Sequence, residues 1–386
     1  MKYEEKRLGD YIDVISGFAF KTKDFVENGI PIIKIKNIAP PEVSLEDLTY
    51  VSEEIAEKQK KFMLSYDDVL IAMTGSHINQ WASVVGRVAR VKYNEKTLLN
   101  QRVGKIILKK DCEADLSYIY YYLSQDKVKI ELAAKAGGAA NQANISPSDI
   151  KNLQFSCPEY GIQVRIADIL RKYDALIEND KNQIKLLEEA AQRLYKEWFL
   201  NLRFPNYEQT KIVDGVPCGW SKAHVTDFLE IKYGKDHKIL EDGNIPVFGS
   251  GGIMRKVNSI LHSGESVLIP RKGSLNNILY VSGDFWTIDT MFYSVPKKEN
   301  SAKYIYLFLK GLDMYSFNIG AAVPSMTTKI LDGMEVLNPS DIVLKEFEKN
   351  VNPLFDEIKV LKQKIEKAQQ IRDYLLPKLM SGELEV

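Results

Sequence analysis

At 386 residues the chain is too long for one ordinary domain and suits two or three. Its composition is globular, 45% hydrophobic and 27% charged, and 52 Lys and Arg balance 52 Asp and Glu, which speaks against a protein that coats nucleic acid indiscriminately. It has no apolar run of roughly 18 residues for a membrane span, no apolar stretch after the charged start Met1–Arg7 to make a signal peptide, and only three scattered cysteines, Cys112, Cys157 and Cys218, so a reducing cytoplasm is expected.

Residues 1–158 read as a first mixed module. Strand-like runs at 30–38 and 84–91 are punctuated by Gly and Pro, and a helical stretch lies near 118–132. From 159 to 203 the pattern changes to a long amphipathic helix. Its apolar seam is Ile166, Leu170, Tyr173, Ile177, Asp180, Ile184, Leu187, Ala191, Leu194 and Trp198, with Asp180 the one break. Spacings alternating three and four over more than four heptads are a coiled-coil pattern. A connector near 204–220, with Pro205, Pro217 and Gly219, opens the next segment, 204–339. That second module has strand-like runs at 267–269 and 278–281 and a helical stretch near 304–315. The last segment, 340–386, is a second long helix with the seam Phe347, Val351, Leu354, Ile358, Leu361, Ile365, Ala368, Arg372, Leu375 and Leu379. Pro353 is expected to kink it or delay its start.

The second half repeats the first. Asp10-Tyr11-Ile12 and Gly17 recur as Asp227-Phe228-Leu229 and Gly234, 217 residues on. Val69-Leu70-Ile71 with Gly75-Ser76 recurs at an offset of 198 as Val267-Leu268-Ile269 with Gly273-Ser274, and Tyr118-Ile119-Tyr120 at 186 as Tyr304-Ile305-Tyr306. From Ile145 the offset is 181 and stays there, so that every seam residue of the second helix is 181 above its mate. Drifting offsets mark two modules with different loops, and a constant one marks helices of fixed length. The fold class expected is α/β (α+β): two globular modules in pseudo-twofold tandem repeat, joined by two long helices of roughly 55 Å. The helices either pack each on its own module or, as the matched seams favour, antiparallel on each other with one module at each end. In the antiparallel arrangement Asp180 and Arg372 would meet as a register-fixing ion pair.

No catalytic constellation emerges. Gly249-Ser250-Gly251-Gly252 lacks the Lys-Ser/Thr of a phosphate loop, His77, His224, His237 and His262 have no metal-ligand spacing, and there is no GxSxG elbow. Neither Cys157-Pro158-Glu159-Tyr160 nor Leu337-Asn338-Pro339-Ser340 is the Asn-Pro-Pro-aromatic motif that holds a flipped adenine in amino-methyltransferases.

The order of short motifs, present twice, resembles the specificity subunit of type I restriction-modification systems. In the first half these are Arg7-Leu8-Gly9-Asp10, Gly29-Ile30-Pro31, 69–76, Leu99-Asn100-Gln101-Arg102 and Asn144-Ile145-Ser146 running to Pro158. In the second they are 244–252, 267–274, Ile288-Asp289-Thr290-Met291-Phe292, Ser325-Met326-Thr327 running to Pro339, and the C-terminal 375–384. The resemblance covers essentially the whole chain. It implies two target recognition domains, each reading one half of an asymmetric, bipartite site in double-stranded DNA. The paired helices would set the spacer and dock two adenine methyltransferase subunits, and restriction/translocase subunits could join in turn. The chain itself would be no enzyme and hold no cofactor or metal; S-adenosylmethionine, ATP and Mg belong to the partners. The competing readings are a stand-alone DNA methyltransferase or nuclease, and a coiled-coil adaptor that binds only proteins.

Base readout needs hydrogen-bonding side chains at groove edges, and phosphate contact needs cations or amides. In the first module the candidates are Thr74, Ser76, His77, Asn79 and Gln80, with Lys34, Lys36, Asn37, Gln101 and Arg102. In the second they are Arg271, Lys272, Ser274, Asn276 and Asn277, with Ser250, Arg255 and Lys256 beside the glycine turn.

Overall fold

The computed structural model describes residues 3–110, 112–137 and 142–386. The chain separates into two compact units, Met1–Glu178 with Glu366–Val386, and Asn179–Ile365.

In the first unit a six-stranded sheet runs in the order Ile12–Ser16, Val103–Leu108, Val69–Ala72, Val88–Arg90, Glu42–Val43, Ile38–Ala39. All pairs are antiparallel except Arg90 beside Glu42. Val69–Ala72 is buried throughout, which is why that strand is an unbroken apolar run rather than an alternation. A four-stranded sheet carries Leu98–Leu99, Ile30–Ile33, Thr49–Val51 and Phe25–Val26. The run read as one strand over 30–38 is therefore broken by a tight helical turn at Ile35–Asn37. The helical stretch is likewise two helices, Leu116–Ser124 and Asp126–Lys135, broken at Gln125, whose backbone is extended.

The second unit has one six-stranded sheet, ordered Leu229–Tyr233, Met291–Pro296, His262–Pro270, Leu279–Thr287, Asp242–Gly249, Gly252–Val257. Its first three strands repeat the first three of the first unit's six-stranded sheet. The same hydrogen bonds recur. Tyr118 Oη donates to the Ser156 carbonyl at 2.8 Å, and Tyr304 Oη to Leu337 at 2.7 Å. Ile145 N–H donates to Met73, and Met326 N–H to Arg271, both at 2.9 Å. In each unit an opening strand pairs antiparallel with the strand that leads into a long helix, Glu4–Arg7 with Gln154–Cys157 and Ser221–His224 with Glu335–Asn338.

The long helices are Tyr160–Tyr195, continued by a π-helical turn Lys196–Leu200, and Asp341–Ser381. The second passes through Pro353 without a late start. That proline is exposed, as is Lys349, whose carbonyl loses its usual donor there, so water can replace the missing bond. Every seam position on both helices is buried or half-buried. Within the first unit Ile166, Ala167 and Leu170 share a core with Leu379 and Met380. Within the second, Ala191, Tyr195, Trp198 and Phe199 share a core with Phe347 and Val351, and the Phe199 and Phe347 rings meet edge-on at 4.8 Å. In each unit an early stretch of one helix thus packs with a late stretch of the other. Two helices packed only on their own modules do not give these contacts.

The register pair differs from the sequence expectation. Arg372 Nη1 pairs with Asp174 Oδ1 at 2.8 Å, and Asp174 Oδ2 accepts from Tyr121 Oη at 2.5 Å. Asp180 is buried, with Oδ2 unpartnered among the described residues. Arginine's long side chain reaches off the seam line, so the partner is the flanking Asp174 rather than a seam residue. On the 181 offset, Asp174 and Arg372 correspond to Phe355 and Ala191, so the second unit has no equivalent pair. It is joined instead by Lys303 of the short helix Ala302–Lys310, whose Nζ lies 2.6 Å from Glu348 on the second long helix and 2.7 Å from Glu265 on the sheet. Tyr280 Oη donates to the same Glu265 carboxylate. Lys303 and Glu348 correspond to Ser117 and Ala167 in the first unit.

Burial alone would pull the Lys303 ammonium down, but its bonds to Glu265, Glu348 and Tyr280 outweigh that and hold it above its ordinary 10.5. Burial pushes Glu265 up, and Lys303 and Tyr280 bring it below its ordinary 4.5. A raised lysine contributes stability below its unfolded pKa, and a lowered carboxylate contributes above its own. The cluster is therefore at full strength at neutral pH and weakens as pH falls through the acid range. Replacing Lys303 by Met leaves the Glu348 carboxylate buried and unpaired, at a cost of about 3 kcal/mol at pH 7. In urea unfolding, the gap between wild type and Lys303→Met should narrow as the pH is lowered past the ordinary Glu265 value; a gap under about 1 kcal/mol, or one constant with pH, would contradict this account of the cluster.

Candidate nucleic-acid interface

In the first unit the candidate loop leaves strand Val69–Ala72 and closes on itself. Ser76 N–H donates to Ser83, Ser76 Oγ to the Gln80 carbonyl at 2.6 Å, and Ser83 Oγ to Ser76 Oγ. Gly75 permits this closure: a Cβ there would stand 2.5 Å from the Ser83 carbonyl oxygen. Thr74 and Ser76 are 4% and 7% exposed, and Thr74 Oγ1 bonds Asn144 Oδ1 at 2.8 Å. These two shape the loop and are not presented to a ligand; short hydroxyl side chains commonly serve turns this way. His77 is half-buried, and Asn79 and Gln80 are exposed.

Gln101 and Arg102 form an exposed turn beside that loop, held by Met73 N–H donating to the Arg102 carbonyl at 2.8 Å. Lys34, Lys36 and Asn37 belong to the tight turn at Ile35–Asn37. Arg87 fastens that turn to the far end of the 74–83 loop, with Nη1 on the Ala82 carbonyl and Nη2 on Ile35. Asn37 is 1% exposed, its amide donating to Glu46 and its Oδ1 accepting from Lys34 N–H, so it organises the turn instead of reaching outward. Lys34 Nζ donates to Thr49 Oγ1 and lies over the Phe25 ring; burial, then neighbouring Lys36, pulls its pKa down. Lys36 is exposed and paired with Asp47, whose carboxyl the contact holds below its ordinary value.

The corresponding loop of the second unit is built differently. Arg271 and Lys272 N–H groups both donate to the Thr290 carbonyl, and Gly273 N–H donates to Pro324 at 2.8 Å. Leu275 and Ile278 are fully buried and draw the end of the loop into the core. Asn277 Nδ2 donates to the Ser250 carbonyl at 2.8 Å, and Asn276 ties to Asp313 and to Met314 N–H. One surface thus gathers Ser250, Arg271, Lys272, Ser274, Asn276 and Asn277. Arg271 lies 5.3 Å from the Tyr233 ring centre and Lys272 Nζ 3.6 Å from Asp289. Arg255 is engaged at the other end of the hairpin by Asp242 and the Leu240 carbonyl, and Lys256 follows it on the same strand, opposite Pro246.

A search for polar side chains overlooks the exposed apolar ones here. Ile78 and Trp81 stand out from the first loop, with Lys129 Nζ 4.6 Å from the Trp81 ring centre. Ile319 and Val323 stand out beside the second. Among the described residues no group of three His, Cys, Asp or Glu side chains could hold a metal ion, and no helix is long and apolar enough to cross a membrane.

Known proteins share this arrangement. The family model described as type I restriction modification DNA specificity domain matches twice, at residues 1–189 and 217–370. The chain is 26% identical to the type I restriction enzyme MjaIX specificity subunit of Methanocaldococcus jannaschii, over all of this chain and 94% of that one. It is 32% identical to the HindI specificity subunit of Haemophilus influenzae, over 62% of this chain and 71% of the relative. The crystal structure of a type I S subunit from M. genitalium shares the fold at a TM-score of 0.57 and 19% identity, covering 98% of this chain and 96% of that one. Two tandem matches spanning most of the chain, on two units with the same strand frame, establish that the chain belongs to the type I restriction-modification DNA specificity family.

Proposed function

We propose that this chain is the non-catalytic DNA-reading subunit of a type I complex, with each module reading one half of a bipartite, asymmetric site. What carries this reading is the contrast between a conserved frame and divergent loops. The Met73 and Arg271 carbonyls accept the same bond from the exit segment, yet one begins a closed loop presenting Asn79 and Gln80, and the other a loop carrying Arg271 and Lys272. Identical readers would select a palindrome; these two select different half-sites.

The long helices fit a ruler between half-sites and a dock for two adenine methyltransferase subunits. One DNA turn of about 34 Å is within the reach of helices this long. S-adenosylmethionine, ATP and Mg chemistry is assigned to the partner subunits, with translocase-nuclease subunits joining in turn, in the cytoplasm. A formal net charge of zero agrees with shared DNA contacts, since a subunit in a larger complex need not supply all the phosphate neutralisation.

Mapping N6-methyladenine in DNA from cells expressing the chain with its methyltransferase partner tests the reading. Two unlike half-sites at a constant spacing are expected, and Arg271→Ala should relax or abolish recognition in one of them, for a loss of about 1–3 kcal/mol if it reads a base. A single contiguous motif, or methylation by the purified chain alone, would overturn the proposal. Equal weakening on all sequences would make Arg271 a phosphate contact.

A further inference from the structure

Beside the Arg271–Asn277 loop lies a turn whose construction serves to present apolar side chains. Asn318 organises it: Oδ1 accepts from the Gly320 and Ser325 N–H groups, each at 2.8 Å, and Nδ2 donates to the Gly320 carbonyl. Ile319 N–H closes it on the Ser325 carbonyl at 3.1 Å. At Gly320 an added Cβ would fall 2.0 Å from the Val323 carbonyl oxygen, so a larger residue would force the turn open. The turn is also anchored from behind, by Gly273 N–H on Pro324 and Met326 N–H on Arg271. On this turn Ile319 and Val323 are 61% and 55% exposed. Both are β-branched and stiff at χ1, and the cations of Arg271 and Lys272 stand on the adjoining loop.

Single exposed aliphatic residues are ordinary on protein surfaces. Here two stiff ones share one braced turn beside the loop that carries Arg271 and Lys272. We propose that Ile319 and Val323 form a wedge that enters between neighbouring base pairs of the second half-site, beside the loop that carries Arg271 and Lys272. Apolar side chains used this way partly unstack a step and kink the duplex, and the binding surface gained offsets the unstacking. The wedge selects sequence through deformability and favours a pyrimidine–purine step, the kind most readily opened. This inference rests on the DNA-reading function proposed above, which by itself requires no distortion of the DNA beyond the flipping of the adenine that the partner methylates.

The test uses the full chain with its methyltransferase partner. The probes are duplexes of the mapped site with 2-aminopurine placed singly at positions of the second half-site other than the methylated adenine and its immediate neighbours, whose stacking base flipping by the partner already disturbs. Wild type should raise the fluorescence several-fold at one step, and Ile319→Ser with Val323→Ser should abolish the rise and weaken binding roughly tenfold. Ile319→Ala alone, at a largely exposed position, keeps the test valid if the double variant folds poorly, and should reduce the rise. A rise that survives these substitutions, a bound duplex with no responsive position, or a variant that loses its methyltransferase partner while binding DNA normally would overturn the wedge. Absence of any sequence preference in wild type would overturn the DNA-reading function as well, and is distinguishable from a bound but undistorted site.

Discussion

The constraint on which the structure depends is the apolar seam of the two long helices. It repeats every three or four residues without a slip, and all twenty seam positions are withdrawn from water at least in part. The modules are built onto that seam. In the first unit Ile166 and Leu170 share a core with strand residues such as Val69 and Ile71, and in the second Phe199 and Phe347 pack with Tyr304 and Phe228. Removing apolar area of this kind from water contributes roughly 25 cal/mol per Å². A helix shift of one residue would misplace both the seam and the floor of a module, so helix length and register are held while loops are not.

Polar groups add orientation to that apolar attachment. The two units share their backbone frame down to the bonds from Tyr118 and Tyr304, yet differ in the charges that fix the short helix to the long one: Tyr121, Asp174 and Arg372 in one, Lys303, Glu348 and Glu265 in the other. A buried charge is costly unless fully partnered, and each cluster matches only its own surroundings. The same division applies at the surface. Equivalent backbone positions, Met73 and Arg271, carry loops of different chemistry, as the proposed reading of two unlike half-sites requires.

The seam and the repeat were legible because both leave a periodic trace: burial on one helix face sets the spacing, and a duplicated frame sets the offsets. Sheet order was not legible, since strand pairing such as Val103–Leu108 between Ile12–Ser16 and Val69–Ala72 depends on contacts distant in sequence. Symmetry along the seam pairs Asp180 with Arg372, whereas the long, flexible arginine reaches the flanking Asp174. At the candidate interface, polarity marks loops without separating the residues that shape a turn from those that stand outward. Asn37, Thr74 and Ser76 are polar because their turns need bonds, while Ile319 and Val323, which a search for hydrogen-bonding groups passes over, are among the most exposed side chains beside the loop.

If the helices space two independent readers, spacer length must follow helix length with the half-sites unchanged. Inserting one heptad into each long helix adds about 10 Å of helix at 1.5 Å per residue. Methylation mapping with that variant should return the same two half-sites separated by about three more base pairs, at 3.4 Å each. An unchanged spacer, or altered half-sites at the original spacing, would contradict the account.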